Sequence, residues 1–552
     1  MFMKKIRKKI LILPLLAMAL IGCNNVSSSA SLAPSSEPVT TEGPSSETPS
    51  SEAPSSEELS SSEESSESIE TTSYELATTE NYSNRTLDHS IDMTALDSLG
   101  TQKMLVVPVV FTDTAHHATD EVLTMIDKVF FGESEETGWE SVASYYHKSS
   151  FGKLTLTGEV LPYFYSMWST FEFGALEVSE EQGYGEGNYW DQTHHLIEEI
   201  YNTLPAEKFL EYDQDGDGHV DAFWMIYIAN IHHLGGEDGD PFWAYKFYWN
   251  RFADPAKPTP NVYAWASYNF AKSGIGYNFN IPDAHTYIHE TGHLFGLPDY
   301  YDYDGATAPA GAKDMMDHNI QDHNMYSKYR LNWSKPFVVT GHADIHLRPA
   351  ESTGDFIIIK DGWNGHVYDE YILIEYYTPT GLNFKDSQGN GYGSSSNNQL
   401  RGFNINGVRI WHVDSRLITY THETTPPYKI ASAEWSDEIV LGNEFSYTVI
   451  GPSNTTTRSR VPEGGETTNK LLHLIDAQGV TSRVGNWLRT PTTAGNAALF
   501  QTGKCIAATG WKKYIQTSET FNDGSPIGYS IEIGEMDDNG VNIIIRKAPV
   551  VG

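Results

Sequence analysis

Cysteine is nearly absent: the 552 residues contain two, Cys23 and Cys505. A disulfide framework is therefore excluded as the main source of stability, and the fold must rest on a large core or on bound metals. Basic residues are scarce as well, 36 Lys and Arg against 73 Asp and Glu, for a formal net charge of −37. That balance argues against nucleic acid as a partner. No apolar run reaches the roughly 20 residues needed to span a bilayer. No internal repeat is evident, which argues against a solenoid. Between Asn24 and Glu80 there is no Lys or Arg at all, only twelve Glu in a background of Ser, Thr and Pro. Such a stretch holds too little apolar surface to repay the entropy of ordering it.

The N-terminus reads as a targeting segment. Lys4, Lys5, Arg7, Lys8 and Lys9 form a basic head, and Ile10 to Ile21 is an uninterrupted, largely apolar run containing Pro14. This is the pattern of a secretory signal peptide over residues 1–22. It ends in Leu20-Ile21-Gly22-Cys23, which resembles the bacterial lipobox, whose Cys receives a diacylglycerol and becomes the new N-terminus. The alternative is an ordinary signal peptide with an incidental Cys. The lipobox reading implies an extracytoplasmic protein held on the membrane through Cys23, since more than one acyl chain is needed for stable anchoring. Residues 23–95 then read as a disordered, charge-extended Ser/Glu-rich stalk.

Order is expected from about residue 96. Met104–Phe111 and Ala222–Ala229 are short apolar runs rich in β-branched or aromatic residues, so buried strands are predicted. Leu154–Val160 alternates like a strand. Glu121–Phe131, Ser141–Lys148, His194–Tyr201 and Ala284–Phe295 have helical spacing. Past Trp333-Ser-Lys-Pro336 strand-like runs dominate, at 356–360, 371–376, 407–413 and 541–546. The expected fold class is α+β, with a catalytic portion over 96–336 and a β-rich portion over 337–552.

The chemistry concentrates in His289-Glu290-Thr291-Gly292-His293. Two His at i and i+4 lie one turn apart on one helix face, so both rings reach one ion. A zinc hydrolase needs three protein ligands and one open position. Glu290, next to the first ligand, is placed to act as general base on a metal-activated water. Gly296 follows where it can end the helix in a left-handed conformation. Asp299 arrives six residues after His293 as the candidate third ligand, and Asp302 is the other carboxylate nearby. This spacing resembles the metzincins, where the third ligand is usually His. A carboxylate there adds negative charge and should make the bound water less acidic. Metzincins also place a Met in a tight turn beneath the metal. Asp314-Met315-Met316-Asp317 supplies that turn, with Met316 the first choice and Met315 the second. His318 reads either as a group polarising the scissile carbonyl or as a solvated loop residue. His285 reads as a non-ligand.

Asp213-Gln-Asp215-Gly-Asp217-Gly-His219-Val-Asp221 puts carboxylates at positions 1, 3, 5 and 9, Gly at 6 and the backbone carbonyl of His219 at 7. This is the ligand layout of a calcium loop, except that position 12 is Trp224 instead of a bidentate Glu. Calcium, if bound, must find its last ligands elsewhere; the alternative is a solvated acidic turn.

Together these pieces resemble the immune inhibitor A family of secreted bacterial metalloproteases. The resemblance rests on 105–113, 145–154, the acidic loop, 289–303, 314–317, 326–336 and 407–414, and spans about residues 100–420. It implies a zinc endopeptidase with a metzincin-like catalytic domain, often stabilised by calcium; the expected partners are protein or peptide substrates, and the chain is expected to be a monomer. By position it implies His289, His293 and Asp299 as zinc ligands and Glu290 as the general base. The lipobox and stalk are not part of that pattern. The competing expectation is a surface adhesin or binding module that keeps the fold without the chemistry; an intact Glu290 opposes it, since binding alone needs no base.

Overall fold

The computed structural model describes residues 74–76, 96–176, 190–231, 241–249, 252–273, 282–305, 307–388, 402–422, 430–436, 446–462, 469–479, 483–484, 487–488, 494–515 and 519–549. All belong to one unit, Ile69–Gly552. The expected signal peptide and Cys23 lie outside the described residues. Among the described residues no helix is long and apolar enough to cross a membrane.

The fold is mixed α and β with several sheets. The first sheet contains β2 (Gly100–Val110), β3 (Leu154–Val160), β4 (Phe164–Tyr165), β5 (Phe223–Tyr227), β6 (Tyr245–Tyr248) and β7 (Val262–Ser267). Its order is β3-β2-β5-β7-β6, with β4 also on β2. Every pairing is parallel except β6 with β7, which is antiparallel. Parallel strands are covered on both faces, which explains uninterrupted apolar runs. Side chains alternate across the sheet. Met104, Val106, Trp224 and Ile226 enter one core, while Leu105, Val107, Val109 and Met225 enter another on the opposite face.

Helix Trp190–Thr203 covers the second face through Leu196, Ile197 and Ile200. The first face receives helix Asp120–Phe131 through Met125, Ile126, Val129 and Phe130, with helices Val142–Ser149 and His285–Leu294 beside it. Caps set the starts of the first two. Thr119 accepts from the N–H of Val122, and Ser141 exchanges hydrogen bonds with Ser144 in a capping box, each cap worth about 1 kcal/mol.

The second sheet joins β1 (Tyr74–Leu76), β8 (Phe337–Val339), β10 (Phe356–Ile359), β11 (Glu370–Tyr377), β12 (Gly407–Asp414) and β16 (Leu472–Ile475), in the order β1-β8-β10-β11-β12-β16. A three-stranded sheet, β14-β13-β15, comprises β13 (Leu417–His422), β14 (Ile430–Ser436) and β15 (Ser446–Ile450). β17 (Arg483–Val484) and β18 (Trp487–Leu488) pair with each other. The last sheet runs β19-β20-β21-β9, from β9 (Ala343–Leu347), β19 (Cys505–Ile506), β20 (Tyr529–Asp537) and β21 (Gly540–Lys547).

The second sheet is also buried on both faces. Phe356, Ile358, Tyr371, Leu373, Trp411 and Val413 join the core beneath the first sheet, whereas Ile357, Ile359, Ile372, Ile374, Val408 and Ile410 pack against the last sheet. One core therefore runs across residue 336, where the sequence pattern changes.

One expectation needs correction. The stalk expected over 23–95 is not disordered throughout, because Tyr74–Leu76 pairs antiparallel with Val339, Val338 and Phe337. The Ser/Glu run has ended by Ser73, and the edge of β8 offers backbone partners that a short Tyr-Glu-Leu segment can use.

Candidate metal centre

Helix His285–Leu294 follows the parallel sheet and is only three turns long. Just before it, Asp283 accepts from the N–H of His285 at 3.0 Å. Gly296, at φ 82°, ends it in the left-handed region, and the N–H of Leu297 returns to the carbonyl of Gly292 at 3.1 Å. Such a C-terminal turn strongly favours Gly. It folds the chain back so that Asp299 faces the helix.

The rings of His289 and His293 stand at right angles, with centroids 4.8 Å apart. Each Nδ1 meets a backbone carbonyl: Met315 for His289 at 2.8 Å, Leu297 for His293 at 2.6 Å. A carbonyl only accepts, so each Nδ1 carries the proton and, in a neutral ring, each Nε2 presents a lone pair. Both Nε2 atoms point at one carboxylate oxygen. Asp299 Oδ1 lies 3.0 Å from His289 Nε2 and 3.3 Å from His293 Nε2. Three atoms of metal-ligand type converge. Ligands about 2.0–2.1 Å from a tetrahedral zinc ion are roughly 3.3 Å from one another. The donor set therefore fits zinc in type and in spacing.

Glu290 is buried beside this group; it, His289 and His293 offer atoms that all lie within 4.8 Å of one another. Burial pushes its carboxyl up to about 8, with His289 pulling it down and Asp299 adding to the rise. Burial likewise opposes the charge on Asp299, but His293 and His289 more than offset it and hold that carboxyl well below the usual range. For both His burial disfavours the charged form, yet Asp299 raises them above the ordinary histidine value.

The turn below the helix is built on Asp314, which caps Met315–His318 by accepting from the N–H of Met316 at 2.8 Å. Met315 contributes its carbonyl to His289. Met316 contributes its side chain: a Cβ on Gly292 would collide with Met316 Sδ. Gly292 is thus required by the close approach of that sulfur. The carbonyl of Met316 also accepts from the N–H of Tyr300 at 2.7 Å, fixing the chain just after Asp299.

Other candidates separate from the centre. His318 is exposed, bonded to Asp317 at 2.7 Å, and does not line the cleft; it is the solvated loop residue. Asp302 spends its oxygens on Asp304 N–H and on Thr307 N–H and hydroxyl, so Asp299, not Asp302, faces the histidines. Asp304 accepts from Thr457 N–H and hydroxyl. His285 stacks on Trp139 at 4.2 Å and bonds Asp283 at 2.5 Å. Burial works against its charge, but Asp283 and Asp386 raise it to about 9, so it is an ion-paired core residue.

In the acidic loop, Asp213, Asp215 and Asp217 converge within 4.8 Å. Gly216 and Gly218, both at positive φ, allow the turn. Asp221 is buried and accepts from the N–H of Gln214 at 2.9 Å. The N–H of His219 donates to Asp217, and its ring contacts Thr259 Oγ1 at 2.8 Å. Trp224, at position 12, is fully buried core.

The centre opens into a cleft of about 610 Å³. It is lined by Trp243 to Tyr248, including β6, by Tyr301 and Tyr303 and, from far along the chain, by Val449, Ile450, Thr455, Arg458 and Arg460. Tyr303 donates its hydroxyl proton to Asp299 Oδ2, and Arg458 lies 3.7 Å above the Tyr303 ring. None of these wall residues was a candidate from sequence. Tyr303 was the nearest to being legible, four residues past Asp299 within the same turn. No protein-family model matches the chain, and no curated protein matches it.

Proposed function

We propose that the chain is a zinc-dependent endopeptidase of metzincin-like type, similar to the immune inhibitor A family. The observation that carries this is the convergence of His289 Nε2, His293 Nε2 and Asp299 Oδ1, with both Nδ1 protons already given to carbonyls. These three hold the ion. When bound, zinc supplies a Lewis acid and a water acidified enough to attack near neutral pH. Glu290 takes the proton of the attacking water and passes it to the leaving amine. An extended substrate fits along β6, whose backbone forms one wall of the cleft.

The same reading places calcium at Asp213, Asp215 and Asp217, with the His219 carbonyl and Asp221 as further ligands and a stabilising role. Met316 is the Met beneath the metal. Lipidation at Cys23 would hold the enzyme on the outer face of a bacterial membrane, with exposed proteins and peptides as substrates. An idle adhesin is disfavoured by a buried Glu290, because an unused carboxyl in that position costs desolvation energy and returns nothing.

A digest of internally quenched peptides tests the proposal. A chelator should abolish cleavage, and added zinc should restore it while magnesium does not. Cleavage that survives complete metal removal would refute the zinc mechanism.

A further inference from the structure

The chain has twice as many acidic as basic residues, yet among the described residues the cleft lining carries three basic side chains against two acidic ones. Apart from Glu290 and Asp299 at the metal centre, the charged side chains among the described lining residues are Lys246, Arg458 and Arg460. Arg458 and Arg460 are exposed, and neither forms an ion pair with a carboxylate among the described residues. The Tyr303 ring supports the Arg458 guanidinium, and the hydroxyl of that ring is bonded to Asp299. Arg458 is therefore held one aromatic ring away from the metal ligand. The nearby Asp304 accepts from Thr457 and feels the charge of Arg458 without forming an ion pair with it.

We propose that the cleft selects acidic peptide segments, with Arg458 and Arg460 as the residues that read a substrate carboxylate beside the metal centre. A guanidinium fork matches a carboxylate in geometry as well as charge. Stacking on Tyr303 pre-organises the Arg458 side chain, so less entropy is lost on binding. The surplus negative charge of the whole molecule does not cancel this preference. At physiological ionic strength charges beyond about 8 Å are largely screened, whereas a contact inside the cleft is not.

This inference rests on the peptidase reading, so its test reads binding instead of turnover. Three fluorescent peptides of one length differ only in carrying paired Glu, Gln or Lys. Anisotropy gives their Kd values on the full Glu290→Gln chain loaded with zinc. The Glu peptide should bind at least about fivefold tighter than the Gln peptide and the Lys peptide weakest, the sum of contacts that are individually weak when exposed. In a chain also carrying Arg458→Glu and Arg460→Glu the order should invert. If that chain fails to fold, Arg458→Gln with Arg460→Gln should abolish the preference. Equal affinities for the Glu and Gln peptides, or an order that survives removal of both arginines, would overturn the inference. Absence of cleavage by the wild-type chain would instead count against the peptidase reading alone.

Discussion

At the residue scale the centre depends on groups that aim other groups. Each histidine is fixed by a carbonyl on its Nδ1, and Asp299 is fixed by Tyr303. Such outer partners commonly contribute 10–100-fold to metal affinity. Tyr303→Phe removes only the hydroxyl and should weaken zinc binding by roughly tenfold or more, read by competition with a chelating dye. Unchanged affinity would mean that the hydroxyl does not hold Asp299. His289, Glu290 and His293 were legible because helical spacing is a local rule, and the Gly296 turn carried that rule on to Asp299. Tyr303 and Arg458 were not legible. Their roles come from a side-chain contact between segments 155 residues apart, and no local period encodes it.

At the scale of elements, two short loops do most of the positioning. The turn at Asp314–Met316 meets helix His285–Leu294 through Gly292, where only a hydrogen leaves room for the sulfur. The sequence offered both Met315 and Met316 for this place. The structure divides the tasks, a carbonyl from the first and a side chain from the second. The acidic loop brings three carboxylates together, with local N–H donors among the groups that offset their repulsion. Calcium should therefore raise the melting temperature, since an ion that binds only the folded state stabilises it by mass action. Asp215→Ala should remove that gain. A wild-type melting temperature indifferent to calcium would show the loop to be a solvated turn. Strands at 104–111, 356–360, 371–376 and 407–413 were readable because burial on both faces leaves continuous apolar runs. β6 was not, since Tyr245-Lys-Phe-Tyr248 is half-buried and mixed in polarity.

At the scale of the whole molecule, the part after residue 336 is not an appendage. Its sheet completes the core under helix His285–Leu294 through Phe356, Leu373 and Trp411, and its residues between Val449 and Arg460, with Leu471, line the cleft. A chain ending at residue 336 would expose that core, at about 25 cal/mol for each Å² of apolar surface returned to water. It should lose cooperative melting by calorimetry. A fragment that melts cooperatively and cleaves peptides would contradict this. The sequence marked residue 336 as a change of pattern, and a change of pattern says nothing about whether the two sides share a core.

The central claim is that a proton moves through Glu290 at a zinc centre built from His289, His293 and Asp299. The most direct measurement is the rate of peptide hydrolysis by Glu290→Gln carrying one zinc per chain, set beside the wild type at equal zinc content. Loss of a general base should lower the rate by about 10²–10⁴-fold with the metal retained. A zinc-loaded Glu290→Gln chain that cleaves at the wild-type rate would contradict the account.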